Sequence, residues 1–458
     1  MYQVNFDNPI HIHFMGIGGI SMSGLAEILL SEGFTVSGSD PKRTSLTERL
    51  EDLGATVTYS QTAANINDSI DVLVYTAAIG KDNPELNEAV RRNIPLLTRA
   101  ELLGQLMKNY RTPIAISGTH GKTTTTSMVS EILLKNNMDP TLSIGGILKT
   151  IGGNLRIGKS EYFVTEACEY TNSYLSFFPK ISLILNIEAD HLDFFKDIED
   201  IRNSFKKFAM LLPNDGKLII NGNIDRLNEI TDSINCDFIT FGDNSSFDYY
   251  PEDITFDEFG KATYTLCSKT GKESVKLGVV GIHNVYNSMA AIALADLLDI
   301  PRSVSVNALA TFTGTDRRFE VKGKLGGITV IDDYAHHPTE IKATLTAAKN
   351  YPHDKMWCVF QPHTYTRTKA FLNEFAQALQ NADAVILTDI YAAREKNTIG
   401  ISSEAIMEKL RESGKECYYF HSFDEIENFI LENCSNNDLL ITMGAGDVVK
   451  IGENLLGM

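Results

Sequence analysis

The sequence lacks the features of a membrane or secreted protein. No apolar run approaches the roughly 20 residues that a membrane-spanning helix needs. The first residues, MYQVNFDNPIHIHF, have no basic start followed by a small-residue cleavage site, so they predict no signal peptide. Cysteine is scarce too, with six in 458 residues and no CxxC pair. Scattered cysteines in a chain of this size are typical of reduced thiols, and we expect a soluble cytoplasmic protein without membrane insertion.

Positive charge is also in short supply. The chain has 41 Lys and Arg against 59 Asp and Glu, which gives a formal net charge of −18. Binding to a polyanion needs a clustered positive surface, so we expect no nucleic acid as a partner. A nucleotide is not excluded, because backbone N–H groups and one or two cations can hold its phosphates in a local pocket.

Length and periodicity predict an α/β protein of about three domains. Short, continuous apolar runs separated by helical stretches are typical of strands buried on both faces of a parallel sheet. These runs lie at residues 10–15, 34–39, 71–76, 113–117, 162–167, 181–187, 216–222, 327–333, 356–361, 384–389 and 438–444.

Domain boundaries are expected where a new strand–helix series begins. NYRTP precedes such a series near residue 110, and TGTDRRFE precedes another near residue 320. We therefore expect domains at 1–110, 111–320 and 321–458. The stretch from about 236 to 280 is more polar and rich in β-forming residues, which indicates an irregular or antiparallel insertion in the middle domain.

The first glycine-rich loop follows the first predicted strand. In FMGIGGISMSGLAEILL, Gly16, Gly18 and Gly19 open a predicted helix, an arrangement that suits a diphosphate at a helix N-terminus. Ser39 and Asp40 end the second strand, where a ribose-binding acid belongs. A nicotinamide cofactor is one interpretation, but the third glycine of GxGxxG is Ser21. A strand-to-helix turn without a ligand is the other alternative.

A second loop lies in ISGTHGKTTTTS, residues 116–127. The pattern GxxxxGK[ST] fails here, because Ile116 occupies the place of its first glycine. A shorter loop that leads from a strand into a helix can still direct backbone N–H groups at phosphates. Lys122 would then reach the outer phosphates, and the Thr123 hydroxyl would hold Mg²⁺. The alternative is a threonine-rich helix start with an exposed lysine.

Polar residues at neighbouring strand ends support the phosphate interpretation. One strand of the middle domain ends on Glu166 and Glu169, and another on Asp190 and His191. Ligands of parallel sheets bind at the carboxyl ends of the strands, so these side chains are expected beside the loop as a Mg²⁺ shell. Taken singly, each could be an ordinary surface residue.

The third domain shows the same pattern at two of its strands. One strand end carries Asp332, Asp333, Tyr334, His336 and His337, and the next carries His363, Tyr365 and Arg367. DYAHHP alone could indicate a metal site, but adjacent histidines point in different directions and rarely chelate one ion. The glycine turn in DLLITMGAGDV is expected to be structural or to line the cleft.

Six motifs in order resemble those of the Mur ligases. They are GTHGKTTTT, NIEADHLD, GIHNVYNSMAA, TGTDRRFE, DDYAHHP and PHTYTRT. The resemblance spans essentially the whole chain, and it implies a Rossmann-like domain for UDP, a central P-loop ATPase-type α/β domain for ATP, and a Rossmann-like C-terminal domain for the amino acid.

The N-terminal MGIGGISMSGLAEIL resembles the alanine-adding branch of that family. This resemblance implies an enzyme of peptidoglycan precursor synthesis that uses ATP and Mg²⁺ to join L-alanine to the lactyl carboxylate of UDP-N-acetylmuramate. An acyl phosphate would be the intermediate. The alternative is the branch of the family that recycles murein tripeptide. A monomer or homodimer is expected.

The resemblance also implies roles for individual residues. Lys122, His191 and Arg317 would be catalytic, and Thr123, Glu166 and His191 would bind metal. The other implied roles are ATP binding by Gly118, Thr119, His120, Gly121, Lys122, Thr123, Thr124, His283, Asn284, Asn287, Arg317 and Asp333; UDP-sugar binding by Gly16, Gly18, Gly19, Ser39, Asp40, Thr76 and Arg99; and amino-acid binding by Tyr334, His336, His363 and Arg367.

Two positions depart from the family pattern. Thr364 stands where related enzymes have a second arginine in the PHxYTRT motif, which removes one possible contact to a carboxylate or phosphate. Phe205, with Lys206 beside it, stands where later Mur ligases have a carbamylated lysine. The second departure fits the alanine-adding branch, in which His191 and the phosphates would manage without a carbamate.

Overall fold

The computed structural model describes residues 2–76, 79–80, 82–393 and 395–458, which form three sheets in chain order. The first is a five-stranded parallel sheet in the order β3-β2-β1-β4-β5. Its strands are β1 (His11–Met15), β2 (Thr35–Ser39), β3 (Thr56–Thr58), β4 (Val72–Tyr75) and β5 (Leu96–Thr98). Its helices are α1 (Ile20–Ser31), α2 (Ser45–Asp52), α3 (Pro84–Arg91) and α4 (Arg99–Met107).

Helix starts in this domain follow from local sequence. Asn83 caps α3 by accepting from the N–H of Glu85, and Pro84 occupies the first turn, where no N–H is needed. Thr98 and Glu101 form a reciprocal capping box at the start of α4. The central strands β1 and β4 are buried along nearly their whole length, as expected for a sheet covered on both faces, whereas the edge strands β3 and β5 are only partly buried.

The second sheet has ten strands in the order β15-β14-β13-β12-β11-β10-β6-β9-β7-β8. Its strands are β6 (Thr112–Ser117), β7 (Thr141–Leu148), β8 (Gly153–Arg156), β9 (Tyr162–Ala167), β10 (Ile181–Ile184), β11 (Lys217–Asn221), β12 (Asp237–Phe241), β13 (Tyr249–Phe256), β14 (Lys261–Ser268) and β15 (Gly271–Val280). Its helices are α5 (Lys122–Lys135), α6 (Ile198–Ala209), α7 (Asn228–Thr231), α8 (His283–Leu297) and α9 (Arg302–Thr311).

The central strands of this sheet are parallel, whereas the strands at its two edges are antiparallel. Strands β10, β6 and β9 pair in parallel, so their carboxyl ends meet at one edge. Strands β13, β14 and β15 form an antiparallel extension. The stretch at about 236–280, predicted to be irregular or antiparallel, is antiparallel from β13 onward, whereas β12 still pairs in parallel with β11.

The third sheet has the order β16-β17-β21-β18-β19-β20, parallel except for β16. Its strands are β16 (Glu320–Leu325), β17 (Ile328–Asp333), β18 (Met356–Phe360), β19 (Ala384–Leu387), β20 (Glu416–Tyr419) and β21 (Leu439–Met443). Its helices are α10 (Pro338–Ala348), α11 (Tyr365–Ala370), α12 (Leu372–Leu379), α13 (Glu404–Glu412), α14 (Phe423–Asn433) and α15 (Val449–Leu456).

The first two sheets share a continuous apolar core, whereas the third has cores of its own. Helix α4 packs so closely on the central domain that a Cβ at Gly104 would lie 1.9 Å from the carbonyl oxygen of Ser176. The predicted α/β fold is confirmed, with a strand at each predicted apolar run. Within the residues described, no helix is long and apolar enough to cross a membrane.

Candidate functional site

The loop between β6 and α5, GTHGK (118–122), depends on two glycines. Gly118 has φ of 151° and Gly121 has φ of 82°, conformations that L side chains rarely adopt. A Cβ at Gly118 would also lie 2.9 Å from the Leu185 Cβ. Strand β6 extends to Ser117, so Ile116 is a strand residue and the loop is a short one. It leads directly into the N-terminus of α5, where free N–H groups favour an anion.

The Lys122 side chain lies across this loop and pairs with Glu169. Its ammonium donates to the Thr119 carbonyl at 3.0 Å and to a Glu169 carboxylate oxygen at 2.9 Å. Glu169 is only 2% exposed, and its other oxygen lies 3.7 Å from Nε2 of His191. Glu169 therefore joins Lys122 to His191, a role that its strand-end position alone did not reveal.

Thr123 and Glu166 meet at the start of α5. The Thr123 hydroxyl donates to Glu166 at 3.1 Å, and the other Glu166 oxygen accepts from the Gly145 N–H at 2.6 Å. Burial raises the pKa of Glu166. A Cβ at Gly145 would lie 2.6 Å from this carboxylate, so glycine keeps the space beside it open. A hydroxyl and a carboxylate are hard oxygen donors of the kind that Mg²⁺ prefers.

A cleft of about 620 Å³ separates the central domain from the C-terminal domain. His283, Asn284 and Asn287, at the start of α8, form part of its wall. Desolvation at the cleft wall lowers the pKa of His283, although the residue reaches solvent. Asn287 faces the GTHGK loop, because a Cβ at Gly121 would lie 2.7 Å from the Asn287 Oδ1. The structure thus brings the loop and the GIHN segment to one cavity.

Two adjacent arginines have different surroundings. Arg317 donates to Asp332 at 3.0 Å and to the carbonyls of Gly444 and Gly446 at 2.7 and 3.0 Å. These contacts turn the Arg317 guanidinium into the C-terminal domain and away from the cleft. The side chain that lines the cleft is that of Arg318. The prediction named Arg317 for this position; Arg317 has φ of 62° in a turn, and its neighbour Arg318 is the one at the cleft.

The four predicted amino-acid-binding residues form one cluster at the carboxyl ends of β17 and β18. The His336 ring lies 5.5 Å from the Tyr334 ring and 5.6 Å from the His363 ring. Arg367 contacts Nδ1 of His363 at 3.0 Å. Burial lowers the pKa of His336 to about 3, so this imidazole is neutral.

Arg367 also crosses the domain boundary. It donates from Nη2 to the Asp190 carboxylate at 2.9 Å, and both side chains are less than 10% exposed. Burial opposes the charge on Asp190, but Arg367 outweighs it and keeps the pKa of that carboxyl well below its usual range. In this conformation the guanidinium is therefore engaged by Asp190 and His363.

A second contact between the domains is centred on His120 of the GTHGK loop. Its Nδ1 lies 3.1 Å from Glu340 of α10, and its Nε2 lies 3.5 Å from Glu188, beyond β10. Burial opposes protonation of His120, but the two carboxylates outweigh it and raise the pKa to about 9. Asp333, at the end of β17, lines the cleft and accepts from the N–H groups of Phe319 and Ala335. Burial raises the pKa of Asp333 to about 6.

The first glycine loop belongs to the N-terminal domain. Gly16 has φ of 77°, and the Gly18 N–H donates to Asp40 at 3.0 Å. The Ser39 hydroxyl donates to the buried Glu85 at 2.6 Å, so Ser39 is engaged inside the domain. Gly19 caps α1, and Arg99 reaches the first turn of that helix by donating to Ser21 at 3.1 Å. Thr76 directly follows β4.

The two departures from the family pattern have structural counterparts. Phe205 is fully buried and packs against the Tyr174 ring, so no lysine function is possible at that position. Thr364 adopts φ of 65° at the start of α11 and is 7% exposed. Left-handed backbone is unusual for a β-branched residue.

Family models match all three parts of the chain. The model described as Mur ligase family, catalytic domain, matches residues 11–111, the Mur ligase middle domain matches 116–295, and the Mur ligase glutamate ligase domain matches 317–446. The chain belongs to the Mur ligase family. The three matches fall on the three sheets of this Mur ligase, one on each.

Relatives of this Mur ligase are similar over the full length. It is 60% identical to a UDP-N-acetylmuramate–L-alanine ligase of Agathobacter rectalis and 58% identical to one of Lachnospira eligens, with 100% of both chains covered in each case. The crystal structure of a UDP-N-acetylmuramate–alanine ligase from Thermotoga maritima is 30% identical, with a TM-score of 0.80 and 98% of each chain covered. A murein peptide ligase from Psychrobacter arcticus is 25% identical, with a TM-score of 0.71 and the same coverage.

Proposed function

We propose that this Mur ligase joins L-alanine to the lactyl carboxylate of UDP-N-acetylmuramate, with cleavage of ATP to ADP and phosphate, in the synthesis of peptidoglycan precursors. The observation that carries the proposal is the identity of 60% over the full length to a ligase named for this reaction. Because ATP and UDP-sugars are cytoplasmic metabolites, the proposal implies a cytoplasmic enzyme.

ATP would occupy the cleft between the central and C-terminal domains. The GTHGK loop offers N–H groups at the N-terminus of α5 for the phosphates. His283, Asn284 and Asn287 would lie on the adenine side, and Asp333 would lie near the ribose. Arg318 replaces Arg317 as the arginine proposed to approach the phosphates, since its side chain lines the cleft.

The activating step is transfer of the γ-phosphoryl group to the lactyl carboxylate. A carboxylate oxygen forms the new P–O bond while the bond to the β-phosphate oxygen breaks, so ADP leaves and an acyl phosphate remains. Lys122 would leave Glu169 and neutralise the β- and γ-phosphate oxygens, which favours the charge distribution of the transition state. Thr123 and Glu166, with His191 nearby, would hold Mg²⁺, whose charge offsets that of the phosphates.

The second step is attack of the alanine amine on the acyl carbon. The C–N bond forms, the C–O bond to phosphate breaks, and the amine proton passes to the departing phosphate. Tyr334, His336, His363 and Arg367 would surround the amino acid. The neutral His336 can accept or donate a hydrogen bond without adding charge. Arg367 can bind a carboxylate through two parallel hydrogen bonds, provided that it exchanges Asp190 for the substrate.

The N-terminal domain would bind the UDP portion of the sugar nucleotide. Gly16, Gly18 and Gly19 would approach the diphosphate, and Ser39 and Asp40 lie at the end of the adjacent strand. Thr76 and Arg99 would extend this site toward the central domain. Since α4 packs directly on the central domain, Arg99 would lie between the sugar nucleotide and the reacting centre.

Phosphate release tests the proposal. The purified protein is assayed with ATP, Mg²⁺, UDP-N-acetylmuramate and L-alanine, and each component is omitted in turn. We expect phosphate only from the complete mixture. Turnover with murein tripeptide but not with L-alanine would replace this function with that of the recycling branch. ATP hydrolysis that does not depend on the sugar nucleotide would contradict both the alanine-adding and the tripeptide-recycling function.

A further inference from the structure

A group of metal-ligand type lies between the central and C-terminal domains beside the cleft, and the proposed reaction places no metal there. His120 lies in the GTHGK loop, Glu188 follows β10, and His337 is the N-cap of α10 in the C-terminal domain. One ligand atom from each lies within 4.8 Å of the other two. Across the residues that the structure describes, this is the one group of three such side chains this close together.

The surroundings of His120 resemble those of a metal-bound histidine. Its Nδ1 contacts the Glu340 carboxylate at 3.1 Å, whereas its Nε2 is buried and has no hydrogen-bond partner. Metal-binding histidines characteristically donate one ring N–H to a carboxylate or carbonyl, which orients the other nitrogen toward the metal. Nε2 lies 3.5 Å from Glu188, so it faces the second member of the group, and a metal ion there would displace the proton that Glu188 and Glu340 favour on this ring.

His337 differs in that both of its ring nitrogens have partners, so a metal at Nδ1 would displace the Thr339 N–H. Its Nε2 contacts the Ala189 carbonyl at 3.1 Å, which leaves Nδ1 as the acceptor for the Thr339 N–H at a long 3.3 Å. The His120 and His337 rings lie 4.8 Å apart. A tetrahedral zinc ion with bonds of about 2.0–2.2 Å needs ligand atoms roughly 3.5 Å apart. Closing the site therefore requires the distances between ligand atoms to shorten from at most 4.8 Å to roughly 3.5 Å.

We propose that His120, Glu188 and His337 bind a divalent transition metal, with Zn²⁺ the best chemical match, that joins the central domain to the C-terminal domain. Two imidazoles and one carboxylate form a set that zinc prefers and that leaves its fourth position open. Mg²⁺ prefers oxygen ligands, so it competes poorly for such a site. The site is distinct from Thr123 and Glu166, and it does not depend on the proposed ligase function.

The test is titration of the full-length protein with metal alone. The protein is stripped with chelator and titrated with Zn²⁺ by calorimetry in excess Mg²⁺ without nucleotide, and Co²⁺ is then used as a spectroscopic probe. We expect one ion per chain and the visible absorption of tetrahedral Co²⁺. A thiolate-to-cobalt charge-transfer band would place the metal on cysteine and overturn the assignment.

Variants locate the ion. His337→Gln is expected to weaken Zn²⁺ binding by roughly a hundredfold or more, because removing a direct ligand costs more than removing an orienting partner. Glu340→Gln should weaken it by about 10–100-fold. Glu188→Gln is nearly isosteric at a side chain that is 40% exposed, so it tests the site even if a histidine variant folds poorly. His421→Gln, at an exposed histidine beside Asp389, is the matched control and should bind as the wild type does.

Two results would refute the proposal. One is equal affinity for Zn²⁺ in the wild type, Glu188→Gln and His337→Gln. The other is failure of the wild-type protein to bind Zn²⁺ more tightly than Mg²⁺. Either result would leave His120 as a purely ionic bridge between Glu188 and Glu340.

Discussion

The buried pair of Lys122 and Glu169 predicts that loss of the lysine will destabilise the protein as well as inactivate it. From sequence alone, a lysine at a loop tip is expected to add little to a core. In the structure, Lys122→Met leaves the Glu169 carboxylate 2% exposed and without its donor at 2.9 Å. Breaking a buried pair by removing one partner costs about 3–5 kcal/mol.

This cost can be measured by thermal unfolding. For a domain of this size, 1 kcal/mol shifts the melting temperature by about 2–4 °C, so the variant should melt roughly 10 °C lower. The double variant Lys122→Met/Glu169→Gln removes the stranded charge and should recover most of the loss. Phosphate release should be absent from both variants, because neither has the Lys122 ammonium that would neutralise the β- and γ-phosphate oxygens.

The comparison separates stability from chemistry. A single variant that melts within about 2 °C of the wild type would show that Glu169 is not held by Lys122. A double variant no more stable than the single one would refute the stranded-charge explanation. Near-normal activity in either variant would instead refute the proposed role of Lys122.

Other substitutions test the remaining site. Arg318→Gln should raise the KM for ATP or lower kcat with little change in melting temperature. Arg317→Gln should mainly lower the melting temperature. The reverse outcome would support Arg317 as the arginine that approaches the phosphates. Gly145→Ala places a methyl group 2.6 Å from Glu166 and should lower the affinity for Mg²⁺, so that titration of the metal in the assay shows half-maximal activity at a higher Mg²⁺ concentration than in the wild type. The pKa of His120 rises from 6.5 to about 9 on folding. Its stabilisation of the folded state, up to about 3 kcal/mol, should therefore be complete below pH 6.5 and lost as the pH rises through 9. A difference in melting temperature between the wild type and His120→Gln that stays constant from pH 6.5 to 9 would contradict this prediction.

The strands that the sequence predicted best are the buried central ones. Runs such as 113–117 and 162–167 are continuously apolar, so their type and position follow from local composition. Short edge strands such as β3 and β20 were not predicted, because their sequences are half polar and their pairing depends on a neighbouring strand. The first strand of the third sheet, β16, begins at Glu320, one residue before the expected start of the third domain at 321.

The sequence by itself determined the family, the α/β fold and the short phosphate loop, because each depends on residue types at fixed local spacings. Only the tertiary structure decided how those residues are engaged. It paired Lys122 with Glu169, turned Arg317 into the C-terminal domain, left Arg318 at the cleft and brought His120 to His337 across a domain boundary. These outcomes depend on the direction of each side chain and on contacts between residues far apart in the chain, and a linear pattern specifies neither.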